Sequence, residues 1–244
     1  MSLPGRPKGE FTAVRSTGCL MSAVPLRRLA LAALALLGPA LLGTPAPAEA
    51  QPVTAPSGVW DFRVALDGKP IGQHRFTVTA QGDEREVRSV ADFAVKFLGI
   101  TVYRYHHEAR EQWRGGCLTA LTSSTDDHGT HSSVRTEYAG DTLTVYAGGA
   151  PQALPGCVMS YAYWNPAMRT QTRLLNAQTG RYDAVRIGPA GSGSIDVHGQ
   201  PVAATRWRIT GPPHPIDVWY SAQDAWVGLD STVAGGRTLS YRLP

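Results

Sequence analysis

From Trp60 onward the chain alternates apolar and polar residues with a period of two. Trp60, Phe62, Val64 and Leu66 share one side and Asp61, Arg63 and Ala65 the other, the pattern of a strand with one buried face. Asp67-Gly68 follows as a two-residue hairpin signal, and residues 71–80 return as a second strand with His74, Phe76 and Val78 on one side. After a charged turn at 83–85, Val87, Ala91, Phe93, Val95 and Phe97 line one face of a long strand that turns near Gly99. The next strand, 101–113, reads TVYRYHHEAREQW. Tyr103, Tyr105, His107, Ala109, Glu111 and Trp113 face one way, and Arg104, His106, Glu108, Arg110 and Gln112 the other. One face is aromatic and the other charged, which fits a wall between water and a core or cavity.

Alternation continues through 118–125, 131–138 and 142–146, with turns at 126–129 and Gly140-Asp141. It breaks at 160–175, SYAYWNPAMRTQTRLL, where Asn165 as N-cap and Pro166 as first helical residue predict a short helix. Strands resume at 172–176, 181–187, 194–197, 202–210, 216–221, 226–233 and 237–243, most of them separated by Gly or Pro. The run GPAGSG at 188–193 carries no lysine, opens no helix and reads as a loop. Short strands at this spacing predict a mainly β fold, an antiparallel β-barrel or half-barrel or a sandwich, with one short helix.

Ahead of this domain, Arg27-Arg28, the apolar run 29–42 and Ala48-Glu49-Ala50 have the form of an export signal cleaved before Gln51. Residues 21–50 are therefore expected to be a signal peptide, 1–20 an over-long gene start, 51–57 a Pro-rich lead-in and 58–244 a single domain. The apolar run is broken by Gly38-Pro39 and falls short of the roughly 20 residues of a membrane span. The mature protein is expected to be periplasmic or secreted. The leader also changes the charge. The chain carries 23 Lys and Arg against 19 Asp and Glu, but five of the former and two of the latter precede Gln51, leaving 18 against 17. A near-neutral domain without clustered Lys or Arg lacks the phosphate-neutralising surface of a nucleic-acid binder.

Cys19 precedes the apolar run, so it is no lipidation cysteine, and two cysteines follow the leader, Cys117 and Cys157. In an oxidising compartment they read as a disulfide worth roughly 3–4 kcal/mol by loop-closure entropy; the alternatives are two buried thiols or one catalytic thiol. No G-x-S-x-G elbow, phosphate-binding loop, dinucleotide fingerprint or C-x-x-C occurs. Neither Ser160 nor Cys157 has a local activating partner.

Three places concentrate chemistry-bearing side chains. On the central strand, His106 and Glu108 stand two residues apart, roughly 6.6 Å along a strand, close enough to share a metal with a third ligand such as His128 or His131. Cross-strand ion pairs on a wet face explain the same residues. His107 and Glu111, roughly 13 Å apart on the same rise, could not share one unaided. The second place is 125–131, TDDHGTH, where Asp127 and His128 could supply an acid–base pair or metal ligands, and where Asp-Asp-His-Gly is also good turn chemistry. The third is 161–166, YAYWNP, backed by Trp207, Trp219, Tyr220 and Trp226. Aromatics with polar edges line amphipathic-ligand pockets and equally fill cores.

In that order, YRYHHEAREQW, STDDHG, SYAYWNP, LLNAQTG and IDVWYS resemble a family of exported bacterial β-proteins known only as a domain of unknown function. The resemblance spans Trp60 to Leu243 and brings no catalytic residues with it. That family is similar in architecture to periplasmic half-barrels, including carriers that ferry lipoproteins by holding acyl chains in a barrel closed by a short helix. SYAYWNP would take the helix's place, and Trp164 would touch the guest. The expectation is a periplasmic, non-enzymatic binding or carrier module without cofactor. It would hold a lipid or other small apolar molecule between Tyr103, Tyr105, His107, Trp113, Tyr161 and Trp164, with transient contacts to membrane or envelope proteins. The alternative is a periplasmic enzyme, hydrolase-like or metal-dependent, with His107 or His128 as base and Glu111 or Asp127 nearby.

Overall fold

The structure is a computed structural model and describes residues 56–244; the expected gene start, signal peptide and first part of the lead-in lie outside them. Eight strands form a first meander: β1 (Gly58–Leu66), β2 (Lys69–Gln81), β3 (Glu84–Phe97), β4 (Ile100–Arg114), β5 (Cys117–Asp127), β6 (Thr130–Ala139), β7 (Thr142–Tyr146) and β8 (Gln152–Pro155). A small ribbon follows, β9 (Arg173–Leu175) with β10 (Tyr182–Ala184). A second meander closes the chain: β11 (Arg186–Val197), β12 (Gln200–Thr210), β13 (Ile216–Ser221), β14 (Trp226–Val233) and β15 (Arg237–Arg242). Apart from the ribbon, all join one sheet in the order β11-β12-β13-β14-β15-β1-β2-β3-β4-β5-β6-β7-β8. The sheet is antiparallel and open, with β11 and β8 at its edges, so the protein is barrel-like without being a closed barrel.

The first hairpin follows from its turn residues. Leu66 opposes Lys69, and Asp67 and Gly68 have φ of 49° and 75°, the left-handed pair whose twist matches that of the flanking strands. Asp67 also accepts from the backbone N–H of Thr238 at 2.8 Å and from Arg237 Nε at 2.7 Å, which ties this turn to the last strand. There β15 pairs with β1 from Arg63↔Arg242 to Leu66↔Leu239, so the two ends of the domain meet in mid-sheet.

The concave face buries the residues at alternate positions. Phe62, Val64, Val87, Ala109, Trp113, Leu118 and Leu121 join one core, each large side chain contributing roughly 1.5–3 kcal/mol on burial. What fills the concavity is the chain between β8 and β11, which supplies Val158, Met159, Trp164, Met168, Leu174 and Leu175 to the same core. This crossing segment is fastened by Leu118 N–H to Val158 O at 2.9 Å, Leu175 N–H to Met159 O at 2.8 Å and Tyr220 O–H to Tyr163 O at 2.8 Å. Cys117 and Cys157 form a disulfide at its entrance, with Cα atoms 5.0 Å apart. The expected short helix is a 3₁₀ turn, Pro166–Thr170, with Asn165 Oδ1 accepting from Ala167 N–H at 3.1 Å.

Two readings of the C-terminal part change. GPAGSG, expected as a loop, lies inside β11, with an irregularity between Pro189 and Ser192. An edge strand has one unpaired side and so accepts Pro and Gly where a central strand would not. The stretch expected as one strand at 181–187 is divided between β10 and β11. Ile195, Ala204 and Val227 form a small second core where β11 to β14 curl. None of the described helices is long and apolar enough to cross a membrane.

Candidate functional site

The crossing segment does not fill the concave face completely. Over the middle of β2, β3 and β4 it leaves a cavity of about 210 Å³. Period-two alternation delivers one wall: His74 and Phe76 from β2, Val87 and Ser89 from β3, and His107, Ala109 and Glu111 from β4. The opposite wall is Ser160, Tyr161 and Trp164, with Asn176 and Gln178 from the loop beyond β9. Apolar and hydrogen-bonding groups therefore converge on one partly enclosed space.

Burial dominates the electrostatics of this space. His107 Nδ1 lies 2.8 Å from Thr125 Oγ1; burial lowers its pKa to about 4, and His106 adds to the effect. His74 Nε2 lies 2.7 Å from Ser89 Oγ, and its Nδ1 is 3.4 Å from the Tyr241 hydroxyl. Burial brings its pKa to about 3, with a smaller contribution from His107. Glu111 Oε2 accepts from Trp113 Nε1 at 2.9 Å. Its burial raises the carboxyl pKa, against opposing hydrogen bonds from Ser160 and Trp113. Both imidazoles are thus neutral at neutral pH, and the low-dielectric surroundings disfavour the carboxylate. Among the described residues no buried side-chain nitrogen or oxygen lacks a hydrogen-bond partner.

The Ser89–His74 pair is the arrangement nearest to an activated nucleophile. An imidazole with a pKa of about 3 is a weak base at neutral pH. Ser89 also sits in mid-ladder, opposite Phe76 on one side and Ala109 on the other. The surrounding backbone N–H groups are spent on the sheet and do not form an oxyanion hole.

Of the six aromatic-wall residues expected from the sequence, the cavity is lined by three, His107, Tyr161 and Trp164. Tyr161 also donates to Asp183 Oδ2 at 3.1 Å. Trp113 shares the inward face but is buried edge-on against Trp164, ring centroids 5.5 Å apart. Tyr105 stacks on Phe93 at 5.3 Å and with it lines a separate open concavity of about 1510 Å³, and Tyr103 donates to Asp127 Oδ1 at 2.7 Å; both lie nearer the hairpin end of β4.

The alternative catalytic set divides between two places. His107 and Glu111 line the cavity, whereas Asp127 is held by Tyr103 and His128 stacks on the Tyr103 ring, centroids 5.6 Å apart. His128 has φ of 52° and Gly129 N–H donates to Asp126 Oδ1 at 2.7 Å, so His128-Gly129 is a turn between the strand ends that the rest of TDDHGTH forms. The metal set His106, Glu108, His128 and His131 does not gather either, and two of its members are held by other partners. His106 Nδ1 lies 2.6 Å from Asp92 Oδ1, and Glu108 is held by Arg88 at 3.0 Å and Arg110 at 3.3 Å. Among the described residues no three His, Cys, Asp or Glu side chains gather as metal ligands. Sequence reading missed Ser89, Asn176 and Gln178. Ser89 had a signal, a polar residue at the inward parity between Val87 and Ala91.

No functionally curated protein matches the sequence. Among solved structures, one that matches is the crystal structure of a beta-barrel-like protein of domain of unknown function DUF1849 from Brucella abortus. It is 9% identical, the match covers 79% of this chain and 97% of that one, and the TM-score is 0.58. At that identity the likeness is one of fold, and it agrees with the open, curled sheet. The model of the family described as Domain of unknown function (DUF6134) matches residues 62–244, and the chain belongs to that family.

Proposed function

We propose that the protein is an exported, non-enzymatic binding module that holds a small amphipathic guest in the cavity beneath the crossing segment. The observation that carries this reading is the convergence of polar groups, His107, Glu111, Ser160 and Ser89, with the apolar surfaces of Phe76, Val87 and Trp164 on one partly enclosed space. A polar head would exchange hydrogen bonds at His107 and Glu111, and the apolar remainder would lie against Trp164. Size narrows the guest. A space of about 210 Å³ holds on the order of seven groups of water size at about 30 Å³ each, so the occupant is a small molecule or the end of a longer lipid.

The test is native mass spectrometry of the chain from Gln51, with organic extraction and a metal assay on the same sample. A stoichiometric organic guest without metal supports the reading. Bound metal without a guest overturns it in favour of the enzymatic alternative. Ala109→Leu places a larger side chain in the cavity from the β4 wall and is expected to exclude the guest while the sheet still folds. Trp164→Ala is a poorer probe, because Trp164 is a core residue and its truncation costs about 3–5 kcal/mol.

A further inference from the structure

Six large apolar side chains are exposed among the described residues, and four belong to the tip of one hairpin. β3 ends on Phe97 and β4 begins on Ile100, with Leu98-Gly99 as the turn between them. Phe97 is 66% exposed, Leu98 86%, Ile100 69% and Val102 48%. Leu98 has φ of 48°, a left-handed conformation that Asn and Asp adopt readily and a bulky apolar residue does not. The other non-glycine residues with positive φ are Asp67, His128, His198 and Asp224, all polar. Neither the turn nor the core gains from a leucine at position 98, so its gain lies in contact with something outside the domain.

Charge says what that is. No Asp or Glu occurs between Asp92 and Glu108. Lys96 and Arg104 flank the tip and make no ion pair among the described residues. Farther along the same hairpin, Arg88 and Arg110 pair with Glu108, and Arg114 with Glu84. The hairpin thus presents an apolar end, then Tyr103 with its phenol bonded to Asp127 of the adjoining strand, with Lys96 and Arg104 unpaired alongside. That sequence of environments matches hydrocarbon, interface and anionic headgroup.

We propose that the β3–β4 tip docks the protein on an anionic lipid surface, with Phe97, Leu98 and Ile100 entering the headgroup–acyl boundary and Lys96 and Arg104 meeting lipid phosphates. So short an apolar tip gives shallow, reversible attachment. The docking goes beyond the cavity reading and does not depend on a guest.

The domain carries its own core, so the chain from Gln51 can be tested by co-sedimentation with vesicles of phosphatidylcholine alone or mixed with phosphatidylglycerol. Binding is expected on the mixed vesicles and is expected to weaken with added salt. Leu98→Asn suits the turn better than leucine does. It is expected to melt at the same or a higher temperature while partitioning about tenfold less. Lys96→Gln with Arg104→Gln is expected to remove about tenfold or more of the phosphatidylglycerol-dependent binding alone. Equal vesicle binding by the wild type and a stably folded Leu98→Asn overturns the proposal. So does a concentration-dependent dimer in the absence of lipid that Leu98→Asn abolishes, since the tip would then be an interface between copies.

Discussion

Trp113 Nε1 donates to Glu111 Oε2 at 2.9 Å, a bond between consecutive inward positions of one strand that holds a carboxyl group inside the core. Glu111 gains this bond and one from Ser160, yet burial outweighs both and raises its pKa above 4.5. The folded chain therefore binds a proton at Glu111 that the unfolded chain has released, and the wild type loses stability as pH rises from 4.5 through the folded value.

Glu111→Gln keeps an acceptor for Trp113 without the ionisation. The variant is expected to be more stable than wild type at pH 7.5 by about 1–2 kcal/mol, an advantage that shrinks towards pH 4.5. Urea denaturation at the two pH values measures it. Equal destabilisation of the variant at both would mean that the carboxylate is ionised and well paired.

The histidines act with the opposite sign. His74 and His107 have folded pKa values of about 3 and about 4, against 6.5 in the unfolded chain. Below pH 6.5 the unfolded state takes up protons that the folded state refuses, so stability falls with pH, by at most about 1.4 kcal/mol per unit for each histidine. Denaturation curves are expected to be nearly constant from pH 8 to 7 in this contribution and to weaken between 6.5 and 4. His107→Gln should reduce the slope in that interval and leave the Glu111 contribution easier to see.

These groups also mark what alternation could and could not reveal. Parity placed His107, Glu111 and Trp113 on one face, and parity is local. Depth along the strand is not. The crossing segment covers only the middle of β4, so His107 reaches the cavity while Tyr105 is left against Phe93. Nor does any local pattern announce that β15 lies against β1 or that β11 is an edge, which is why GPAGSG read as a loop. Asp67-Gly68 was legible because the required φ angles allow few residues. Leu98-Gly99 was legible only as a turn near Gly99, because leucine is not the residue that the turn prefers.

The disulfide links Cys117, at the start of β5, to Cys157, with a sequence separation of 40. Loop-closure entropy gives it roughly 4 kcal/mol. Since it pins the crossing segment where Leu118 N–H meets Val158 O, the paired change of Cys117→Ser and Cys157→Ser is expected to lower stability by about that amount in guanidinium denaturation. Guest retention should fall in the same variant, as one wall of the cavity loses its anchor. Unchanged denaturation with and without reductant would show that the bond adds nothing to the folded state.

Gly72 is a place where β2 has no room for a side chain against β3. It opposes Phe93, and a Cβ at position 72 would stand 1.9 Å from the carbonyl oxygen of Asp92. That contact is with backbone, so no side-chain rotation relieves it. Gly72 also has φ of 156°, which a residue with a Cβ rarely adopts, so Gly72→Ala must change the backbone as well as push β2 away from β3 and is expected to cost roughly 2–3 kcal/mol. Gly188→Ala is the control, since Gly188 lies on the edge strand β11 with nothing within 4 Å of an added Cβ. It is expected to be neutral or slightly stabilising. Thermal melts of the two variants separate a requirement for glycine at position 72, by space and by backbone conformation, from general intolerance of alanine for glycine. Equal melting temperatures would mean that the backbone at Gly72 shifts at no cost to admit a methyl group.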